Sequence, residues 1–126
     1  GDTVNLASRL EYSNKLYGTR IMMSDRCVAA LGNYSPLREI DTVRVYGKNE
    51  PVVIYTWDEY SSSDLRETYS HGLQAYRQGN FERAYKAFKV GAQDKDSASQ
   101  AMAVRCNNLI QSPPSQWDGV WNLDKE

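Results

Sequence analysis

The spacing of apolar residues changes character at Ser61-Ser62-Ser63, and this break constrains the chain more than any other feature. Before it, Leu37, Ile40, Val43 and Val45 alternate with charged residues, and 51–57 is the β-branched and aromatic run Pro-Val-Val-Ile-Tyr-Thr-Trp. Both patterns suit strands. After it, Leu65, Tyr69, Leu73 and Tyr76 fall on one helical stripe, Phe81, Ala84, Tyr85 and Phe88 on a second, and Ala98, Met102, Cys106 and Leu109 on a third. The polar triplet is therefore the expected boundary. It separates a unit over 1–60 from helices over 64–111, with 61–63 as linker and 112–126 as a Pro- and Trp-bearing tail.

Within the first unit, 3–17 reads as a helix that Asp2 or Thr3 can cap and Gly18 can end. A short strand is expected over 19–23, and Ser24 is placed to cap a helix over 25–31. The segments 37–46 and 51–57 flank a short turn and predict an antiparallel hairpin. The order α-β-α-β-β, followed by helices over 64–78, 81–92 and 96–110, defines an α+β chain. Ser63 or Asp64 can cap the first of those helices. Three strands and two helices make a thin core, so exposed strand edges are expected to invite self-association or domain swapping. Trp57, Trp117 and Trp121 are candidates to cover the sheet face.

Composition narrows the function classes. Charged residues make up 25% of the 126, yet the net charge is −1, which argues against nucleic acid or an anionic membrane as the main partner. Hydrophobic residues are 40% of the chain, enough to build a core, but no run approaches the ~18 apolar residues of a spanning helix. Cys27 and Cys106 form no CxxC and lie in apolar helical patterns, so both are read as reduced core residues of a cytoplasmic protein. His71 has no His or Cys neighbour in sequence and reads as structural. The chain opens on a glycine directly before a capping pattern, which reads as a cut through a domain.

Candidate chemistry sits at the start. Asn5 and Arg9 are four apart on the expected first helix and project from one face, where an amide and a guanidinium fork can share a phosphate-bearing ligand. By contrast, Asp2, Asp25, Asp41 and Asp58 lie in different elements without ligand spacing, and read as solvated caps and turns rather than metal ligands.

The whole string Gly1-Asp2-Thr3-Val4-Asn5-Leu6-Ala7-Ser8-Arg9-Leu10-Glu11 resembles the G-x-x-V-N-x-A-x-R-L motif of class III adenylate/guanylate cyclases. Downstream, Arg38-Glu39-Ile40-Asp41 through Val43-Arg44-Val45-Tyr46-Gly47-Lys48 to Pro51-Val52 and Ile54-Tyr55 resembles the closing hairpin of the same family. The resemblance covers 1–58. It implies the C-terminal part of a ferredoxin-like catalytic domain that works as a head-to-tail dimer on a nucleoside triphosphate. It also implies that Asn5 orients the ribose and Arg9 stabilises the pentavalent phosphorus. The family hairpin often carries V-K-G-K, whose first lysine touches the triphosphate; here Tyr46 stands at that position, and the retained Lys48 can partly substitute. The Mg²⁺ or Mn²⁺ ligands of the family precede this segment, so none is assigned here and the chain alone is expected to be inactive.

Two looser resemblances concern the second half. Gly72-Leu73, Ala75-Tyr76, Gly79-Asn80-Phe81, Ala84 and Ala87-Phe88 resemble one tetratricopeptide-type hairpin, and a single copy suits docking or capping rather than a solenoid. The ending from Pro113-Pro114 to Trp117-Asp118-Gly119-Val120 is similar to the tail of bacterial cyclases with a CHASE2 sensor and membrane spans, which implies a membrane-anchored parent with a cytoplasmic catalytic domain. Two other readings of the residues stay open: a degenerate nucleotide-binding domain, favoured by Tyr46, and a protein-interaction module built on the helical hairpin.

Overall fold

The computed structural model describes residues 11–31, 36–45 and 50–123. They form an α+β chain with a four-stranded sheet in the order β1-β3-β2-β4. The elements fall into two compact units. One runs to Glu59 and resumes at Val120; the other is Tyr60–Gly119.

The sheet unit begins with a helix whose described part is 11–17, here α1. Gly18 ends it at φ 66°, the left-handed conformation expected of a glycine after a helix. Thr19 secures the exit, because its N–H donates to the Asn14 carbonyl at 3.0 Å and its hydroxyl to Asn14 Oδ1 at 2.7 Å. The strand expected over 19–23 is shorter and later than the sequence suggests: β1 is Met23–Ser24. Thr56 supplies a reason, since its hydroxyl takes the Ile21 carbonyl at 2.6 Å, a bond from a side chain instead of a ladder. Ser24 then accepts from the Cys27 N–H at 3.3 Å at the start of α2, Asp25–Leu31.

The hairpin is antiparallel as expected, between β2, Leu37–Arg44, and β3, Pro51–Trp57. Its ladder carries a bulge: Glu39 faces Tyr55 but Asp41 faces Ile54, so β2 holds one extra residue. The extra residue inverts the pleat. Arg38 and Ile40 are buried before it, and Asp41 and Val43 after it. A fourth strand, β4 at Trp121–Asn122, runs parallel to β2 along its other edge, pairing Val43 with Trp121 and Arg44 with Asn122. The tail read as one segment thus divides, with 112–119 in the helical unit and Val120 onward in the sheet unit.

The helical unit contains α3, Ser63–Arg77, α4, Phe81–Gln93, and α5, Ser97–Gln111. Ser62, not Ser63 or Asp64, caps α3 by accepting from the Leu65 N–H at 3.1 Å. α3 and α4 run antiparallel. Tyr69 meets Phe88 edge-on at 5.0 Å near one end, and Tyr76 lies 6.2 Å from Phe81 near the other. Tyr69, Leu73, Tyr76, Ala84, Phe88, Ala98, Met102 and Cys106 form the core.

Two expectations need correction. Cys106 is buried but Cys27 is exposed, on a short helix with no described residue fully buried. Trp117, expected on the sheet, takes its partners from the helical unit: it packs edge-on against Tyr76 and Phe81 at 5.0 and 5.2 Å, and its Nε1 donates to the Tyr76 carbonyl at 2.8 Å. Trp57 is 41% exposed, with Nε1 donating to Glu59 Oε1 at 2.6 Å.

Candidate functional site

The residues with assigned chemistry sit on two stretches of the sheet unit's sequence: Asn5 and Arg9 before the described part of α1, Tyr46 and Lys48 between β2 and β3. All four lie outside the described residues. The surrounding frame is described, and it consists of the helix that continues the first stretch and the strands that bracket the second.

The helix and hairpin meet at one buried polar pair. The Tyr17 hydroxyl donates to Asp41 Oδ2 at 2.7 Å, and both residues have no exposed surface. Asp41 Oδ1 accepts the Thr42 N–H, also at 2.7 Å. Tyr17 is the last residue of α1, and Asp41 turns inward because the bulge places it there. Polar groups removed from water must find partners, so the two side chains specify each other's position. Asp41 is thus a buried hydrogen-bonding partner and not the solvated residue its sequence context suggests. A signal was present: Ile40 and Val43 are three apart, which breaks the period of two and marks the inserted residue.

The strand leading into 46–49 is held on both edges. Arg44 pairs with Pro51 across the hairpin, its carbonyl accepts the Leu123 N–H at 2.9 Å, and its Nη1 donates to Asn122 Oδ1 at 2.8 Å. Val45 and Leu123 are each 3% exposed. At the far end of the hairpin Arg38 Nε lies 3.2 Å from Asp58 Oδ2, and the Asp58 N–H donates to the Pro36 carbonyl at 2.7 Å.

The described carboxylates do not fit a divalent-metal site. Asp41 is engaged by Tyr17 and Thr42, Asp58 by Arg38, and Asp25 Oδ1 by the Arg26 N–H. Among the described residues no three His, Cys, Asp or Glu side chains converge. His71 is exposed, with Nε2 4.0 Å from Glu67 Oε1 one turn away. Nor is any described helix long and apolar enough to cross a membrane.

A separate concavity of about 340 Å³ lies within the helical unit, walled by Phe81, Leu109, Ile110, Pro113, Pro114 and Trp117. Glu82 is the one ionisable residue described in its lining, so it offers no acid–base pair.

The described frame is thus a helix and a hairpin of an α+β unit, and part of the chain is similar in sequence to known proteins. The chain is 33% identical over 100 residues to the terminal-differentiation-specific adenylate cyclase of Dictyostelium discoideum, covering 71% of this chain and 5% of that protein. It is 42% identical over 55 residues to adenylate cyclase 1 of Rhizobium meliloti, covering 44% of this chain and 8% of that protein. Part of the chain is therefore homologous to adenylate cyclases, and it spans less than a tenth of the length of these relatives. No family model matches the chain, and no solved structure matches it significantly.

Proposed function

We propose that the chain is the C-terminal part of a class III nucleotide cyclase domain, which converts ATP to 3′,5′-cyclic AMP and pyrophosphate. The observation that carries this reading is the homology to two adenylate cyclases, joined to the motif at Asn5 and Arg9. In this reading the ribose 3′-hydroxyl attacks the α-phosphorus in line and pyrophosphate leaves. Asn5 orients the ribose. Arg9 places its fork on the phosphoryl oxygens as they gain negative charge, a contribution realised in the transition state. Tyr46 replaces the lysine that touches the triphosphate in the family, and Lys48 takes over part of that contact.

In this reading the Mg²⁺ or Mn²⁺ of the family is held by aspartates that precede the motif in the family, outside this sequence. A second cyclase domain, docked head to tail, completes the site. The sheet unit is then part of a ferredoxin-like fold and the helical hairpin a single tetratricopeptide-type element. The parent is a membrane-anchored protein with its catalytic domain in the cytoplasm and a tail like that of CHASE2-bearing cyclases.

Arg9→Ala in the full-length protein tests this reading. Turnover, measured as cyclic nucleotide formed, should fall by about 10²-fold, as is typical when a transition-state donor is removed. An unchanged rate removes Arg9 from the site. The competing reading, nucleotide binding without turnover, is favoured by Tyr46 and expects retained nucleotide with no product from the wild type.

A further inference from the structure

We propose that the buried Tyr17–Asp41 pair is a positioning device for this chemistry, fixing the helix that follows Asn5 and Arg9 against the strand that leads to Tyr46 and Lys48. The inference rests on the cyclase reading. The pair joins residues 24 apart in sequence through a 2.7 Å hydrogen bond between side chains with no exposed surface. It is also the reason the β2 bulge matters. Without the inserted residue the pleat would send Asp41 to the face opposite Ile40, away from the Tyr17 hydroxyl.

Cohesion alone does not call for such a pair. Apolar side chains of similar volume hold a helix on a sheet at least as well as a buried polar contact does. What they lack is direction, since an apolar seam tolerates small slides and rotations. A short hydrogen bond at the helix end sets both. Arg9 lies eight residues before Tyr17 in sequence, and a misplacement of about 1 Å in a catalytic group can cost about 10²-fold in rate. Tyr17 and Asp41 touch no substrate in this account; they act through Arg9 and Asn5.

The test is a set of variants of the full-length protein assayed with ATP. Tyr17→Phe keeps the ring and removes the donor. Its kcat should fall about 10-fold or more while KM stays within about 3-fold, because the lost quantity is transition-state alignment. Asp41→Asn keeps an acceptor oxygen for Tyr17 and should retain more kcat than Asp41→Ala at similar KM. Hydrogen exchange across β2 and β3 checks that each variant is folded; should Tyr17→Phe fail that check, the order of the two Asp41 variants decides. Wild-type kcat in Tyr17→Phe and Asp41→Ala, or losses that affect KM and kcat equally, would overturn the proposal. Arg9→Ala in the same series separates the two claims. If wild type is active and Arg9→Ala is not, a silent Tyr17→Phe defeats the positioning role alone. A wild type without product defeats the cyclase reading and this inference with it.

Discussion

Gly72 has a hydrogen where any other residue would place a Cβ, and that Cβ would stand 2.8 Å from Phe88 Cε1. Phe88 has no exposed surface and Tyr69 meets it edge-on, so the ring has nowhere to go. Gly72→Ala sets overpacking of about 1–3 kcal/mol against about 1 kcal/mol gained in helix propensity. A net loss of up to about 2 kcal/mol is expected, read as a lower urea midpoint for the helical unit; a raised midpoint would contradict the close approach. This contact was legible as a pattern, because small residues at 72, 75, 84 and 87 fall where two helices can meet. Tyr17 and Asp41 were not legible in the same way. A tyrosine at the end of a helix and an aspartate in a strand each have an ordinary exposed role, and only their meeting gives them a buried one.

At the scale of elements, three helices start with the same device. Ser62, Asn80 and Asp96 accept from the N–H groups of Leu65, Arg83 and Ser99 at 3.1, 3.2 and 3.0 Å. Asp96 also takes the Ser99 hydroxyl at 2.6 Å, and Ser99 is 1% exposed. Asp96→Ala therefore leaves both an amide and a buried hydroxyl short of this partner, and should cost about 1–2 kcal/mol in thermal unfolding, with Asp96→Asn costing less. Equal stability of all three proteins would remove the cap from the account. Helix extents followed from periodicity because each apolar stripe is set by its own residues. The first strand did not: Thr56, 35 residues away, holds the Ile21 carbonyl, and no local pattern contains that bond.

For the whole molecule, the chain leaves the sheet unit at Glu59, builds three helices, and returns at Val120 to add β4 to the edge of β2. Parallel pairing requires such a long crossover. The helical unit is thus inserted between two strands of one sheet, and the sheet's last strand comes from the tail. Truncation after Gly119 removes β4 together with its bonds to Arg44. Hydrogen exchange should then show weakened protection across Leu37–Arg44, while α3, α4 and α5 keep theirs, since each unit has its own core. Unchanged protection in β2 would mean that β4 contributes nothing to that edge.

The sequence by itself determined the α+β class, the hairpin, the three later helices and the cyclase likeness of the first stretch. Each rests on information carried within a few turns or strand steps: apolar period, capping residues, turn residues, a contiguous motif. Tertiary structure alone decided the pairing of Tyr17 with Asp41, the second edge of β2 given to Trp121–Asn122, and the edge-on packing of Trp117 against Tyr76 and Phe81. These join residues 24 to 78 apart, and a hydrogen bond or ring contact across that distance is selected by which surfaces meet, not by the composition of either segment.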